Sequence, residues 1–381
     1  MEGKIMENAK LWAQEVAEKI KHKELKVAER NKNKIPYTTD ADGKFDDRSD
    51  EAHIGWWTNG FFGGTMWQLY HATKEPVYKE NALFIEKALD KVLMNERGMN
   101  HDSGFRWLPT AVANWRETGD KESFNRGLIA ANDLAGRFNP VGKFIRAWND
   151  NGDGSRAGWA IIDCMMNLPL LYWAYEQIHD PRFLQIATIH ADTAQKYFIR
   201  QDGSSNHICI FDPATGEFLR TDGGQGYCVG SSWTRGQAWA LYGFALSYIH
   251  TGNEEYLNTS RRVANYFIAN TPESGLIPVD FRQPEDCTWQ DSTAAAIAAC
   301  GMLELAKHVK GADSRIYYNA AVKMLKALDE HSCNWDENVD HIVDKCSAAF
   351  HEDRHEYHII YGDYYFIEAI WKLTGEELFL W

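Results

Sequence analysis

Two carboxylates stand in places where a folding chain would not leave them without a use. In RAGWAIIDCMMNLPLLYWAYEQIHDPRF (residues 156–183), Asp163 interrupts an apolar run that reads mostly as a buried helix. A bare charge among Ile, Met and Leu is costly. Asp163 is therefore either a cap bonded to backbone N–H groups or a group kept for chemistry. In HDSGFRWLP, His101 and Asp102 fall just before a helix start. A plain N-cap and a functional carboxylate are both consistent with that position.

Other polar groups cluster in a few phrases. SSNHICIFDPATGEFLR places His207 in a hairpin, because DPATGE is a turn phrase. A structural histidine and a ligand-binding one look the same there. DGGQGYCVGSSWTRGQAWALYG gathers Gln225, Ser231, Arg235 and Trp239 near one helix start. Arg235 and Trp239 are four apart and share a face. An Arg beside an indole suits a sugar carboxylate and its ring. An Arg satisfying nearby loop carbonyls is the plainer reading. WWTNGFFGGTMW offers Trp57 as a stacking wall or as core. The Asp and Gly run at 150–154 lacks EF-hand spacing. The seven Cys are odd in number and form no CxxC, so free thiols are expected, with no metal and no cofactor.

These residues need a frame. Phrases such as WRETGDKESF, YEQIHDPRFL, LSYIHTGNEEYL, AKHVKGADSRIYY and IWKLTGEELF recur, each joining a helix end to a Gly- or Asp-containing turn. YHATKEPVY is a weaker sixth copy. Helices before the turn (GQAWALYGFALSYI, TAAAIAACGMLELA) are apolar all round, and those after it (YLNTSRRVANYFIAN) are amphipathic. An inner and an outer ring follow. The predicted fold is all-α, an (α/α)6 barrel formed by residues 1–381 as one domain. An open solenoid is disfavoured because the apolar helices would face solvent. The long connections 31–57, 96–110, 137–158, 201–232, 274–291 and 334–362 hold the unusual chemistry, and several lead into an inner helix.

Composition narrows the partners. A net charge of −14 disfavours nucleic acid and anionic membranes. The 15 Trp, 17 Tyr and 18 Phe are a heavy load for an acidic chain; some must be core, and others fit a cleft that stacks on sugars. No signal-peptide h-region or membrane span is read, so a cytoplasmic protein, monomer or dimer, is expected.

From about residue 30 onward the chain resembles the unsaturated glucuronyl hydrolases of glycoside hydrolase family 88. WTNGF, HDSGF, IIDCMMNLPLLYWA, SSWTRGQAW, DSTAAAIAACGMLE and YGDYYFIEA occur in the family's order. The resemblance implies an (α/α)6-barrel enzyme that removes a 4,5-unsaturated uronic acid from the non-reducing end of lyase-generated oligosaccharides. It implies Asp163 as general acid and base, with Asp102 as the second carboxylate. His101, His207, Gln225, Arg235, Trp239, Trp148 and Trp57 match the family's substrate-binding positions. The late loop DKCSAAFHEDRHEYHI departs from the Ser and Lys pattern of some members.

Such a substrate is an enol ether. Protonation at C4 leaves an oxocarbenium-like centre at C5, water adds there, and the hemiketal opens with loss of the glycosidic bond. On this reading the apolar setting of Asp163, with Asp102 nearby, keeps Asp163 protonated. The alternatives are an unsaturated rhamnogalacturonyl hydrolase and a non-catalytic carbohydrate-binding helical scaffold.

Overall fold

The computed structural model describes residues 2–95, 98–150 and 152–381, with side chains described from residue 7 onward. The helices are α1 (Glu2–Arg30), α2 (Phe61–Thr73), α3 (Pro76–Ala88) and the short α4 (Asp90–Leu93). After them come α5 (Ser103–Trp107), α6 (Ala113–Thr118), α7 (Lys121–Gly136), α8 (Pro169–Ile178) and α9 (Pro181–Tyr197). The last are α10 (Thr234–Thr251), α11 (Glu254–Asn270), α12 (Ser292–His308), α13 (Ala312–His331) and α14 (Ile360–Thr374). A π-helical turn, Leu108–Val112, joins α5 to α6 and makes them one interrupted inner helix.

Three of the recurring phrases share a local code. An inner helix ends on a left-handed residue: Gly119 (φ 73°), His179 (φ 56°) or Gly252 (φ 68°). The next outer helix starts on Asp120, Asp180 or Asn253, whose side chain accepts a backbone N–H of its first turn. The left-handed residue closes one helix and the Asx cap opens the next, reversing the chain in two residues.

Burial sorts the two rings. Every residue of α10 from Thr234 to Ser247 is buried, as is every residue of α12 from Ser292 to Leu305. The outer α11 buries Tyr256, Leu257, Val263, Ala264 and Phe267, one face at spacings of three and four. The inner ring is α2, α5–α6, α8, α10, α12 and α14, and the outer ring is α3, α7, α9, α11, α13 and α1. The last phrase, IWKLTGEELF, leads into no further helix. Its outer place is taken by α1, which packs on α14 and closes the ring. The six inner helices confirm the barrel read from the repeats. One apolar cluster runs from Val16 to Trp381. The C-terminal Trp381 is fully buried, its ring stacked on Tyr365 at 5.8 Å and its indole N–H donated to Glu368 at 2.7 Å.

Short strands interrupt the helical pattern. β1 (Phe138–Asn139) pairs with β2 (Phe144–Ile145). β3 (Trp159–Ile161), β4 (Ile208–Phe211) and β5 (Phe218–Asp222) form an antiparallel sheet in that order. The hairpin read at DPATGE is β4–β5. The segment around Asp163 corrects the helix expectation. Strand β3 gives way to a 3-10 turn, Ile162–Met166, and α8 begins only at Pro169. Periodicity misleads here because a buried strand, a turn and a buried helix are all apolar on every side. No helix among the described residues is long and apolar enough to cross a membrane.

Candidate active site

Asp102 precedes α5, Asp163 precedes α8, Arg235 lies in the first turn of α10, Asp291 caps α12 and Tyr361 opens α14. These positions are all N-terminal ends of inner helices, so they collect at one end of the barrel. The positive ends of the helix dipoles collect there too, which favours an anionic ligand.

Backbone pairing brings the central groups together. Ile161 of β3 pairs with Ile208 of β4, and the Ile162 N–H donates to the His207 carbonyl at 3.0 Å. The next residue on one strand is Asp163, and His207 stands beside the other. Their side chains meet with His207 Nε2 3.5 Å from Asp163 Oδ1. Asn167 then ties this turn to α5. It donates to the Asp163 carbonyl at 3.1 Å and accepts the Phe105 N–H at 2.8 Å. Gly104 is what permits the approach, since a Cβ there would sit 2.5 Å from Asn167 Cα. On the other side, the His101 N–H donates to the Ala147 carbonyl at 3.1 Å, and His101 Nε2 lies 3.3 Å from Asp102 Oδ1.

The His207 tautomer follows from its neighbours. The Gln225 N–H donates to His207 Nδ1 at 3.0 Å. An N–H can only donate, so Nδ1 accepts here and the ring N–H on Nε2 faces Asp163. A Cβ on Gly224 would fall 2.0 Å from His207 Nδ1, so only glycine leaves room for this contact.

Neither carboxylate is a helix cap. Asp102 occupies the N-cap position of α5 but makes no capping bond, and the turn holding Asp163 likewise has no side-chain cap. Around the two carboxylates, Asp163 Oδ1, His207 Nε2 and His101 Nδ1 are buried without a hydrogen-bond partner in the protein, as are Arg106 Nε, Trp233 Nε1 and Trp239 Nε1. What sets the carboxylate and imidazole atoms apart is that they face one another, where a ligand can supply the missing partners.

The charge states reverse the expectation from sequence. Burial pushes the Asp102 carboxyl up to about 7; Arg106 pulls it down and Asp163 pushes it further up. Burial also pushes Asp163 upward, but the His207 N–H facing it, with smaller help from the Arg235 charge, outweighs burial and holds it below the usual carboxylate range. Burial drives His101 down to about 3, so it is neutral. The proton of the carboxylate pair therefore rests on Asp102 in the free protein. An apolar sequence around Asp163 does not reveal the His207 N–H aimed at it.

Arg235 is already held by the protein through its two terminal nitrogens. It is 1% exposed, and its guanidinium donates to Asp291 at 2.5 Å, to the Ser347 carbonyl at 2.6 Å and to the Ala348 carbonyl. The plainer reading, an Arg bound to loop carbonyls, is the observed one. Trp239 is fully buried against Phe105 and Tyr365 and presents no face to a ligand. Ser231 donates to Asp280 at 2.6 Å, and Asp280 also takes the N–H groups of Tyr227, Ser232 and Arg282, so Ser231 belongs to a loop hub. Trp57 and Trp148 are half-buried and keep a free surface. Trp57 packs on Tyr361 at 5.0 Å and on Phe105 at 5.4 Å. Gln225 donates its amide to the Ala348 carbonyl at 2.7 Å and is half-buried.

Several functional supports were missed in the sequence. Arg106 is fully buried and donates to the Gly55 and Gly98 carbonyls and to Asn100, which holds the loops on either side of Asp102. A single Arg inside HDSGFRW gives no sign of this. Asp291 was legible only as a cap in DSTAAA, a role it does fill for Thr293 at 3.1 Å. All seven thiols are unpaired.

Glycosyl Hydrolase Family 88 matches residues 16–373. The chain is 34% identical over 357 residues to an unsaturated glucuronyl hydrolase of Bacillus sp. (strain GL1), covering 90% of this chain and 91% of the relative. It is 34% identical over 338 residues to an unsaturated chondroitin disaccharide hydrolase of Streptococcus pneumoniae, covering 85% of this chain and 83% of that one. A solved Asp-to-Asn variant of UGL with dGlcA-Glc-Rha-Glc superposes with a TM-score of 0.86 at 33% identity, covering 95% of this chain and 96% of the other. This chain belongs to Glycosyl Hydrolase Family 88.

Proposed function

We propose that this enzyme removes a 4,5-unsaturated uronic acid from the non-reducing end of oligosaccharides by hydrating the C4=C5 double bond. The observation that carries this reading is the meeting of Asp102, Asp163, His101 and His207, with three of their buried polar atoms unpartnered. The dipoles of the inner helices favour an anionic sugar at that end. The relatives named above for unsaturated glucuronyl and chondroitin disaccharide substrates support the same class.

The pair holds one proton near neutral pH. A uronate brought beside Asp163 adds a like charge and excludes water, and both raise a carboxyl pKa. The proton of the pair then passes to Asp163, which delivers it to C4 of the enol ether. The C5 cation is stabilised by the ring oxygen. A water attacks C5 and gives its proton back to Asp163. The C5 hemiketal opens, the former ring oxygen stays on C1 as a hydroxyl, and C1 expels the remaining sugar as an alcohol. His207, locked with its N–H on Nε2, steadies the Asp163 carboxylate when it is ionised. Asp102 holds the proton in the free enzyme and hydroxyls of the bound ring. Trp57 and Trp148 offer aromatic surface to the sugars, and Gln225 holds His207 through its backbone. Arg235 acts from behind, fixing the Ser347–Ala348 backbone and adding positive charge.

The test is a panel of unsaturated disaccharides followed by loss of ultraviolet absorbance from the conjugated double bond. Loss of absorbance with release of the second sugar is expected. Binding without any turnover across the panel would overturn the proposal.

A further inference from the structure

We infer that Arg156 reads an anionic group on the sugar next to the unsaturated uronate, an inference that rests on the function just proposed. Beside His101 and Asp102 lies a cleft of about 420 Å3 lined by Gly98, Met99, Asn100, Trp148, Asn149 and Arg156. Its wall runs directly into the site, since Asn100 is followed by His101 and Asp102. Asn100 accepts the Asp102 N–H and Ala147, next to Trp148, accepts the His101 N–H, so on this inference the second sugar lies in this open cleft.

The asparagines of the wall are engaged with the protein. Asn100 Oδ1 accepts from Arg106 at 2.9 Å and from the Asp102 N–H at 3.0 Å. Asn149 donates to the Met99 carbonyl at 2.8 Å and accepts from Arg137 at 3.0 Å. Arg156 differs. Its guanidinium lies over the Trp148 ring, 5.5 Å from the centroid, and the residue is exposed. Asp150, the acidic neighbour in its loop, pairs with Arg146 at 2.7 Å and takes the backbone N–H of Arg156 at 3.3 Å. Among the described residues no ion pair engages the Arg156 guanidinium.

A guanidinium lying over an indole keeps its in-plane N–H donors at the edge, where they fit two oxygens of one anion. The Trp148 surface gives the adjoining sugar an apolar face while Arg156 reaches its substituent. A sulfate ester and a uronic carboxylate offer the same pair of oxygens, so both are ligands of this class.

The experiment compares kcat/KM for three disaccharides: the unsaturated uronate linked to an unsulfated amino sugar, to the same sugar bearing a sulfate, and to a second uronic acid. Wild type, R156Q and R156K are run at low and high salt. The expected result is a preference of about fivefold for at least one anionic substrate, carried mainly by KM and weakened by salt. In R156Q the preference falls to within about twofold while the neutral substrate is unchanged, and R156K retains part of it. Which anionic arm is preferred distinguishes sulfate from carboxylate. A wild-type preference that survives in R156Q, the absence of any preference in wild type, or an equal loss on the neutral substrate would each overturn the inference. No turnover with any substrate would instead sink the proposed function itself.

Discussion

Two corners of the same barrel end treat buried charge in opposite ways. At the Arg235 corner the charged groups are closed, Arg235 on Asp291 and two loop carbonyls and Ser231 on Asp280, with only the neutral Ser232 hydroxyl and Trp233 N–H left unpartnered beside them. At the Asp163 corner the polar atoms face each other without closing. Asp163 Oδ1 and His207 Nε2 stand 3.5 Å apart, and neither has a hydrogen-bond partner. A satisfied buried network holds a shape, whereas an unsatisfied one binds something. Residue type does not tell the two corners apart; what each polar atom already holds does.

The comparison predicts different losses from similar substitutions. The largest is expected for D163N, which removes the proposed proton donor and should lower kcat by roughly 100- to 10,000-fold while leaving the fold intact by circular dichroism. A near-normal rate would make the Asp163 corner a scaffold as well. D102N should also lose most turnover, and it carries a stability signature. With the Asp102 carboxyl raised from 3.8 to about 7, the native state binds more protons than the unfolded chain between those values. Stability therefore falls as pH rises through that window, by on the order of 4 kcal/mol once both states are ionised. D102N removes this cost, so its melting temperature should exceed wild type at pH 8, and the advantage should vanish as pH falls to about 4. An equal difference at both pH values would contradict the buried, protonated Asp102.

At the other corner the loss should be one of stability. R235Q strands Asp291 in the interior, and breaking a buried pair costs about 3–5 kcal/mol. Denaturant unfolding should show it. A fully stable R235Q that lost only kcat would break the comparison. H207Q should have a subtler effect, read in the pH profile. The kcat/KM profile should be a bell whose alkaline limb reflects the pair losing its proton near pH 7. His207 lowers the Asp163 pKa. Without it, the acidic limb should move to higher pH, and an unmoved limb would detach His207 from Asp163. The smallest effect is expected for S231A, about 1 kcal/mol of stability with kcat unchanged.

Much of this was legible in the sequence, for physical reasons. The alternation of wholly apolar and one-faced helices is a direct image of inner and outer rings, and the Gly–Asp and Gly–Asn phrases are their turns. Asp102 and Asp163 were visible because a carboxylate in or beside an apolar run is costly. What stayed hidden depends on long-range pairing. The β3–β4 register that brings His207 to Asp163 leaves no local pattern, and neither does the bonding of Arg235 to residues more than a hundred positions away. Trp239 has the right spacing and the wrong depth, because spacing gives a face and not its burial. The sequence also suggested the protonated partner incorrectly, since a pKa depends on the neighbour across the sheet as much as on the surrounding run.

The central claim is that the Asp102–Asp163 pair hydrates a double bond and that glycosidic cleavage follows. Turnover of an unsaturated disaccharide in water enriched in deuterium and heavy oxygen tests it most directly, with the products read by NMR and mass spectrometry at early times. The account predicts deuterium at C4 and heavy oxygen at C5 of the released uronic product, and none introduced at its C1. Heavy oxygen at the anomeric carbon of a product that keeps its double bond would contradict it.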